Sequence, residues 1–338
     1  MTVDITELDP ATAPAADLAG WHDVAAACAR HEQPKDPERA LADTIGWLRV
    51  VRPTEPRMRW VARQDGVIVG TAELMMPTRE NLDTGFIELS VHPDHRRRGH
   101  GRALLGTVLD ALRSAGRGLA WTGTIECGEG AAAADRLGVA PTDLREVRSV
   151  LDLPTVDAAA IAAIAAEPRP GYRLERWVGA APDDRVDAYA EAKHAMADAP
   201  HDPRWEPPRW DARRVRNLED QPRQAGYELR VVVAVREGTD AVAGLTEVII
   251  SPWTPYRADQ WDTVVIPAHR GHGLGIWVKA EMLRWLAAER PDVRQIETWN
   301  AETNRHMRGI NTRLGFRPDL FYQDRPIEAA ELAVRLGR

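Results

Sequence analysis

Apolar positions along this chain follow two different periods. Val67–Leu74 and Phe86–Val91 are short runs rich in β-branched residues, and Val231–Val235, Ala243–Ile250 and Trp261–Ile266 repeat the pattern in the second half. Runs of that length and composition predict strands. Leu104, Leu105, Val108, Leu109 and Leu112 instead recur at three- and four-residue spacing, as do Ile276, Ala280, Leu283 and Leu286. These predict two helices, each following a strand across a glycine-bearing turn. Between the halves, "TVDAAAIAAIAAE" predicts a helix and "PRPGYRLERW" a return to strand. The spacing therefore predicts domains over 1–154 and 171–338 joined by a linker at 155–170.

The two turns carry one motif. Val91–Gly101 reads "VHPDHRRRGHG" and Val265–Gly275 reads "VIPAHRGHGLG", so Val, Pro, His, Arg, Gly and Gly recur at a constant offset of 174. The same offset carries Gly70 onto Gly244, Glu73 onto Glu247 and Glu88 onto Asp262. A basic run arising by chance would not bring an upstream strand with it, and two copies of one fold are expected.

Composition narrows the chemistry. With 338 residues, each copy is long enough for a core of its own. A formal net charge of −7 removes any global basic field that would draw the chain onto nucleic acid or an anionic membrane. Cys28 and Cys127 lie far apart without metal-ligand spacing, which argues against a disulfide framework or a zinc site. "MTVDITELDP" lacks the plan of a signal peptide, and the expected location is the cytoplasm. Of 44 basic residues only Lys35, Lys193 and Lys279 are lysine, a bias that points to a GC-rich bacterial genome.

A glycine-rich strand-to-helix turn is an anion site: helix-start N–H groups point outward, and glycine admits a phosphate where a Cβ would collide. Arginine adds charge-assisted bonds. A Walker loop is ruled out by the absence of Gly-Lys-Ser/Thr, and a dinucleotide fingerprint fails because its sixth positions are Leu104 and Ile276.

Val-x-Pro-x-x-Arg-x-x-Gly-x-Gly resembles motif A of the GNAT superfamily of acyl-CoA-dependent N-acyltransferases, and both copies fit it. In the second copy "NAETNRHMRGINTRLGF" extends the resemblance through the next strand and helix. The resemblance implies an α/β (α+β) protein of two tandem domains, each a mixed, mainly antiparallel sheet flanked by helices, with two neighbouring strands splayed apart. It implies acetyl-CoA as acyl donor and a small-molecule primary amine as acceptor, with no nucleic-acid or membrane partner. A non-catalytic acyl-CoA-binding module is the alternative. The cofactor cradle implied in the second copy is Val265, Ile266, Arg270, Gly271, His272, Gly273, Leu274 and Gly275, together with Asn304. In the first copy it is Val91, Arg96, Arg97, Arg98, Gly99, His100 and Gly101.

An alkylammonium with a pKa near ~10 must lose a proton before it attacks. Asp259, Asp262 and Glu247 are the carboxylates on or beside the relevant strands, and Asp259, six before Val265, matches the base of histone-type family members. The first copy has Gly85 there. The tyrosine that the family commonly uses to protonate the departing thiolate is replaced by Asn311, a candidate for positioning water or holding the substrate; either water or another tyrosine, Tyr256 first among them, would then supply the proton. Asp198 and His201, in or beside "DAPHDPRWEPPRW", are candidates for the acceptor pocket. The first copy has Ala134 at the phenol position and no tyrosine before Tyr172, and is expected to be non-catalytic.

Overall fold

The computed structural model describes residues 3–338, which divide into two compact units: 3–145 with 322–338, and 146–321. Unit 1 runs β1 (Asp4–Glu7), α1 (Ala15–Glu32), α2 (Leu41–Leu48), β2 (Arg57–Gln64), β3 (Val67–Met75), β4 (Thr84–Val91), α3 (His100–Ser114), β5 (Leu119–Ile125) and α4 (Glu129–Arg136). Unit 2 takes β6 (Arg145–Asp152) from residue 146 onward, then α5 (Ala158–Ala166), β7 (Tyr172–Val178), α6 (Val186–His194) and α7 (Ala212–Gln224). It continues with β8 (Glu228–Arg236), β9 (Val242–Ile250), β10 (Arg257–Val265), α8 (Leu274–Glu289), β11 (Gln295–Ala301) and α9 (Arg305–Leu314). Strand β12 (Arg317–Glu328) starts in unit 2, and from Tyr322 it belongs to unit 1 together with α10 (Ala329–Arg335).

Sheet order is β1-β2-β3-β4-β5-β12 in unit 1 and β6-β11-β10-β9-β8-β7 in unit 2. Both sheets are mixed: β4–β5 and β10–β11 are parallel, and the other registered pairs are antiparallel. The expected strands and helices all form. Helix α3 buries Leu104, Val108, Leu109 and Leu112 completely against β3 and β4, each worth about 2 kcal/mol as an upper estimate. Helix α8 is buried on nearly every side, packed by β8, β9 and α5.

The unit boundaries differ from the expected domains. The antiparallel partner of β5 is the end of the chain, with Tyr322–Glu328 registered on Leu119–Ile125. Buried Arg325 locks it, donating to Thr124 at 3.0 Å and to both the Asp135 carboxylate and the Val139 carbonyl at 2.6 Å. In unit 2 the equivalent edge of β11 is taken by β6. Pairings spanning some 200 positions, as Arg325 with Thr124 does, leave no trace in local periodicity.

Candidate functional site

The motif turn builds the same loop in each unit. Gly273 (φ 71°) and Gly99 (φ 89°) cap α8 and α3 in the left-handed region, where a Cβ would be strained. Gly271 is also left-handed, at φ 84°, and its counterpart Arg97 adopts φ 63° with a side chain attached. The free N–H groups of the first turn of α8 face outward past glycine, which fits a pyrophosphate. Arg270 is spent partly on the loop itself: Nε donates to the Val265 carbonyl at 3.1 Å and Nη2 to Asp198 at 2.6 Å. Arg96 does likewise with the Val91 carbonyl and Glu32, both at 3.0 Å. Asp198, expected beside the acceptor pocket, thus fastens the cradle arginine. Arg169, from the expected linker, lays its guanidinium beside Gly273: its Nε is 3.4 Å from where a Cβ would sit. The His272 ring centroid lies 5.5 Å from that of Tyr172. His100, expected in the first cradle, is 2% exposed with Nε2 3.2 Å from Gln64, and burial lowers its pKa.

Beside the cradle two strands part. The β10–β11 register stops at Gln260 and Thr298, although the strands run on to Val265 and Ala301. At the same level β10 bulges: Gln260 pairs with Val248 and Thr263 with Thr246, so Trp261 and Asp262 together oppose Glu247. The Gln260 amide bridges Thr246 and the Glu247 carbonyl and pins the bulge. A bulge turns a backbone N–H out of the ladder, where it can meet developing negative charge. The extra residue ends the constant offset: Asp259 pairs with Ile249 and Phe86 with Met75, so Asp259 matches Phe86 and not Gly85.

Glu247 and Asp262 are joined by a residue that the motif reading missed. Lys193, in the last turn of α6 and fully buried, places Nζ 2.6 Å from each carboxylate. The Trp210 ring lies 4.6 Å and the Tyr189 ring 5.6 Å from that ammonium, and the Tyr189 hydroxyl donates to Glu247. Burial works against the lysine charge, but Asp262 and Glu247 hold its pKa above the usual range. Burial pushes Glu247 upward, with Lys193 opposing. Glu247 Oε2 is buried without a hydrogen-bond partner, and Asp262 keeps 30% of its side chain exposed. One cation thus serves two carboxylates, of which only Asp262 is reachable. The one signal for Lys193 in the sequence is its rarity among 44 basic residues.

The other candidates are dispersed. Asp259 sits in the still-paired part of β10, between Ile249 and Glu297. Tyr256 is 41% exposed and its carbonyl accepts from Arg294 and Gln295 at the closed end of the strand pair; nine residues of strand, ~30 Å, separate it from Val265. His201 Nδ1 lies 3.0 Å from the Asp202 carbonyl in the loop over 199–211. Asn311 is 2% exposed and donates to Asn300 of β11 at 2.6 Å, leaving its own Oδ1 buried without a partner, while the Asn304 side chain caps α9. Among the described residues no helix is long and apolar enough to cross a membrane.

Residues 18–138 match the model of the Acetyltransferase (GNAT) family, so the match falls on the first copy. A stretch of 49 residues is 53% identical to the mycothiol acetyltransferase of Kineococcus radiotolerans, and it spans 14% of this chain and 16% of that relative. A tandem GNAT protein from the clavulanic acid biosynthesis pathway superposes with a TM-score of 0.83 at 29% identity, over 97% of this chain and 99% of its own. A GCN5-related N-acetyltransferase from Sphaerobacter thermophilus shares the fold with a TM-score of 0.70 at 15% identity, over 97% and 96% of the two chains. Residues 18–138 thus form a domain of the acetyltransferase (GNAT) family, a family of acyltransferases, and over nearly its whole length the chain is similar to a tandem GNAT protein.

Proposed function

We propose that this protein is a cytoplasmic, acetyl-CoA-dependent N-acetyltransferase acting on a primary amine of a small molecule, and that unit 2 carries the transfer. The observation that supports it is the Lys193-bridged pair Glu247 and Asp262 at the bulge where β10 leaves β11, next to the Gly271–Gly275 cradle. The N–H groups following Gly273 and the Val265 edge would hold the donor, which supplies an activated acyl group when bound. Asp262 receives the proton of the entering ammonium. Lys193, pinned by Glu247 and the two aromatic rings, holds the Asp262 carboxylate in place at the bulge. The bulged backbone offers its N–H to the oxygen that gains charge.

A panel of primary amines with acetyl-CoA, read by release of free thiol, identifies the acceptor. For that amine Asp262→Asn should lower kcat ~100-fold or more while calorimetric acetyl-CoA affinity stays unchanged. Lys193→Met should move the acid limb of the kcat/KM profile to higher pH, because Glu247 then loses the cation that opposes its burial and holds its proton longer. A panel in which no amine's turnover depends on Asp262 overturns the assignment to unit 2.

A further inference from the structure

Unit 1 was expected to be inert because its helix α4 carries Ala134 at the phenol position and no tyrosine precedes Tyr172. Its topology supplies one. Tyr322, the first residue of unit 1's share of β12, pairs with Ile125 and lays its ring across Gly123: a Cβ there would fall 2.2 Å from Cε1 and 2.3 Å from the hydroxyl oxygen. Gly123 lies on β5 beyond the last registered β4–β5 pair, Phe86 with Trp121. It is therefore on the strand that diverges from β4 beside the first cradle. In unit 2 the matching position of β11 is Trp299, whose ring lies 6.0 Å from the Arg148 guanidinium, so the phenol is particular to unit 1.

Continuing the parallel register, Thr84 with Leu119 and Phe86 with Trp121, sets Gly123 level with Glu88 across the gap. Alternation puts them on one face. Gly85 meets Leu112 of α3, and Ile87 and Ala120 share the core with α3, so Phe86, Glu88, Trp121 and Gly123 point the other way. Glu88 keeps an open surface. The protein around it still desolvates its carboxyl, and Glu73 directly opposite adds repulsion, so its pKa is raised. Glu73 itself is held by Arg57 and by Arg59 at 2.6 Å.

Resting on the acetyl-CoA reading above, we propose that unit 1 is a second site of acyl transfer to an amine, with Glu88 as base and Tyr322, delivered by the far end of the chain, as acid. The amine nitrogen bonds to the thioester carbonyl carbon as the carbon–sulfur bond breaks. The nitrogen's proton passes to Glu88, the departing sulfur takes the Tyr322 proton, and water carries the Glu88 proton back to the phenolate.

The test uses the full chain with the second cradle blocked by Gly273→Val, where the methyls meet Arg169 and φ is left-handed. Across the amine panel, thiol release should persist for some amines. Adding Tyr322→Phe, which keeps the ring over Gly123, should lower that kcat ~100-fold with KM unchanged and abolish the basic limb of the pH profile; Glu88→Gln should abolish the acid limb. Residual turnover indifferent to both changes, or no residual turnover for any amine, overturns the proposal. Independently of activity, the ultraviolet titration attributable to Tyr322, taken as unaltered chain minus Tyr322→Phe, should shift when CoA is added and cease to shift in Gly99→Val. A titration that ignores CoA also overturns it. Loss of every activity in Gly99→Val alone would instead refute the assignment of transfer to unit 2.

Discussion

Lys193 and Lys279 are both fully buried, yet their pKa values move in opposite directions. Lys193 has two carboxylates at 2.6 Å and holds its proton. Lys279, in α8, faces the Phe316 ring at 4.9 Å, and burial lowers its pKa to about 7 from 10.5. Below pH 7 the folded chain carries the full cost of a buried ammonium. Between pH 7 and 10.5 the unfolded chain binds the proton that the folded chain has shed, so stability rises with pH across that window. Lys279→Met should flatten this dependence and make unit 2 more stable at pH 6 by ~2 kcal/mol or more. Denaturant midpoints from pH 6 to 9 decide it: parallel curves for the two proteins would mean that Lys279 does not titrate in the window.

At the scale of elements the two copies differ in their turns and strands. Both cradles need a left-handed residue two positions before the capping glycine. Gly271 adopts it freely, whereas Arg97 does so at φ 63°. A side chain there costs ~1 kcal/mol, so Arg97→Gly should raise the thermal midpoint of unit 1 by a few degrees and Gly271→Arg should lower that of unit 2 by a similar amount. Calorimetry resolving the two transitions tests this, and no change in either direction would show the turn to be unstrained. The strands differ by one residue: β4 runs in unbroken register with β3, while β10 bulges opposite Glu247. That insertion sets Asp262 beside Lys193, and a constant-offset alignment conceals it.

For the molecule as a whole, the last 17 residues complete unit 1 rather than unit 2. They supply the partner strand of β5, the buried Arg325 network and helix α10 against α3, where Arg338 donates to the Gly106 carbonyl at 2.8 Å. A chain ending at Phe321 should lose amide protection throughout β5 and α3 while β8, β9 and α8 stay protected by hydrogen exchange, because unit 2 keeps its own sheet and core. Retained protection of β5 in the shortened chain would show β12 to be dispensable.

The amino-acid sequence alone determined the repeat, the strands and helices, the family resemblance and the two glycine turns, because each of these is written in spacings of a few residues. It also contained Glu247 and Asp262 as candidates, through position on a strand. Tertiary structure decided what those candidates meet. Lys193 reaches them from α6 across 54 and 69 positions. Asp198, read as part of an acceptor pocket, holds Arg270, and Tyr256, read as the phenol, stands at the closed end of its strand pair. Tyr322 arrives over Gly123 only because β12 fills the edge of β5. Which distant segments pair depends on which open edges and buried charges the folded sheets leave to be satisfied, and local periodicity carries no record of that.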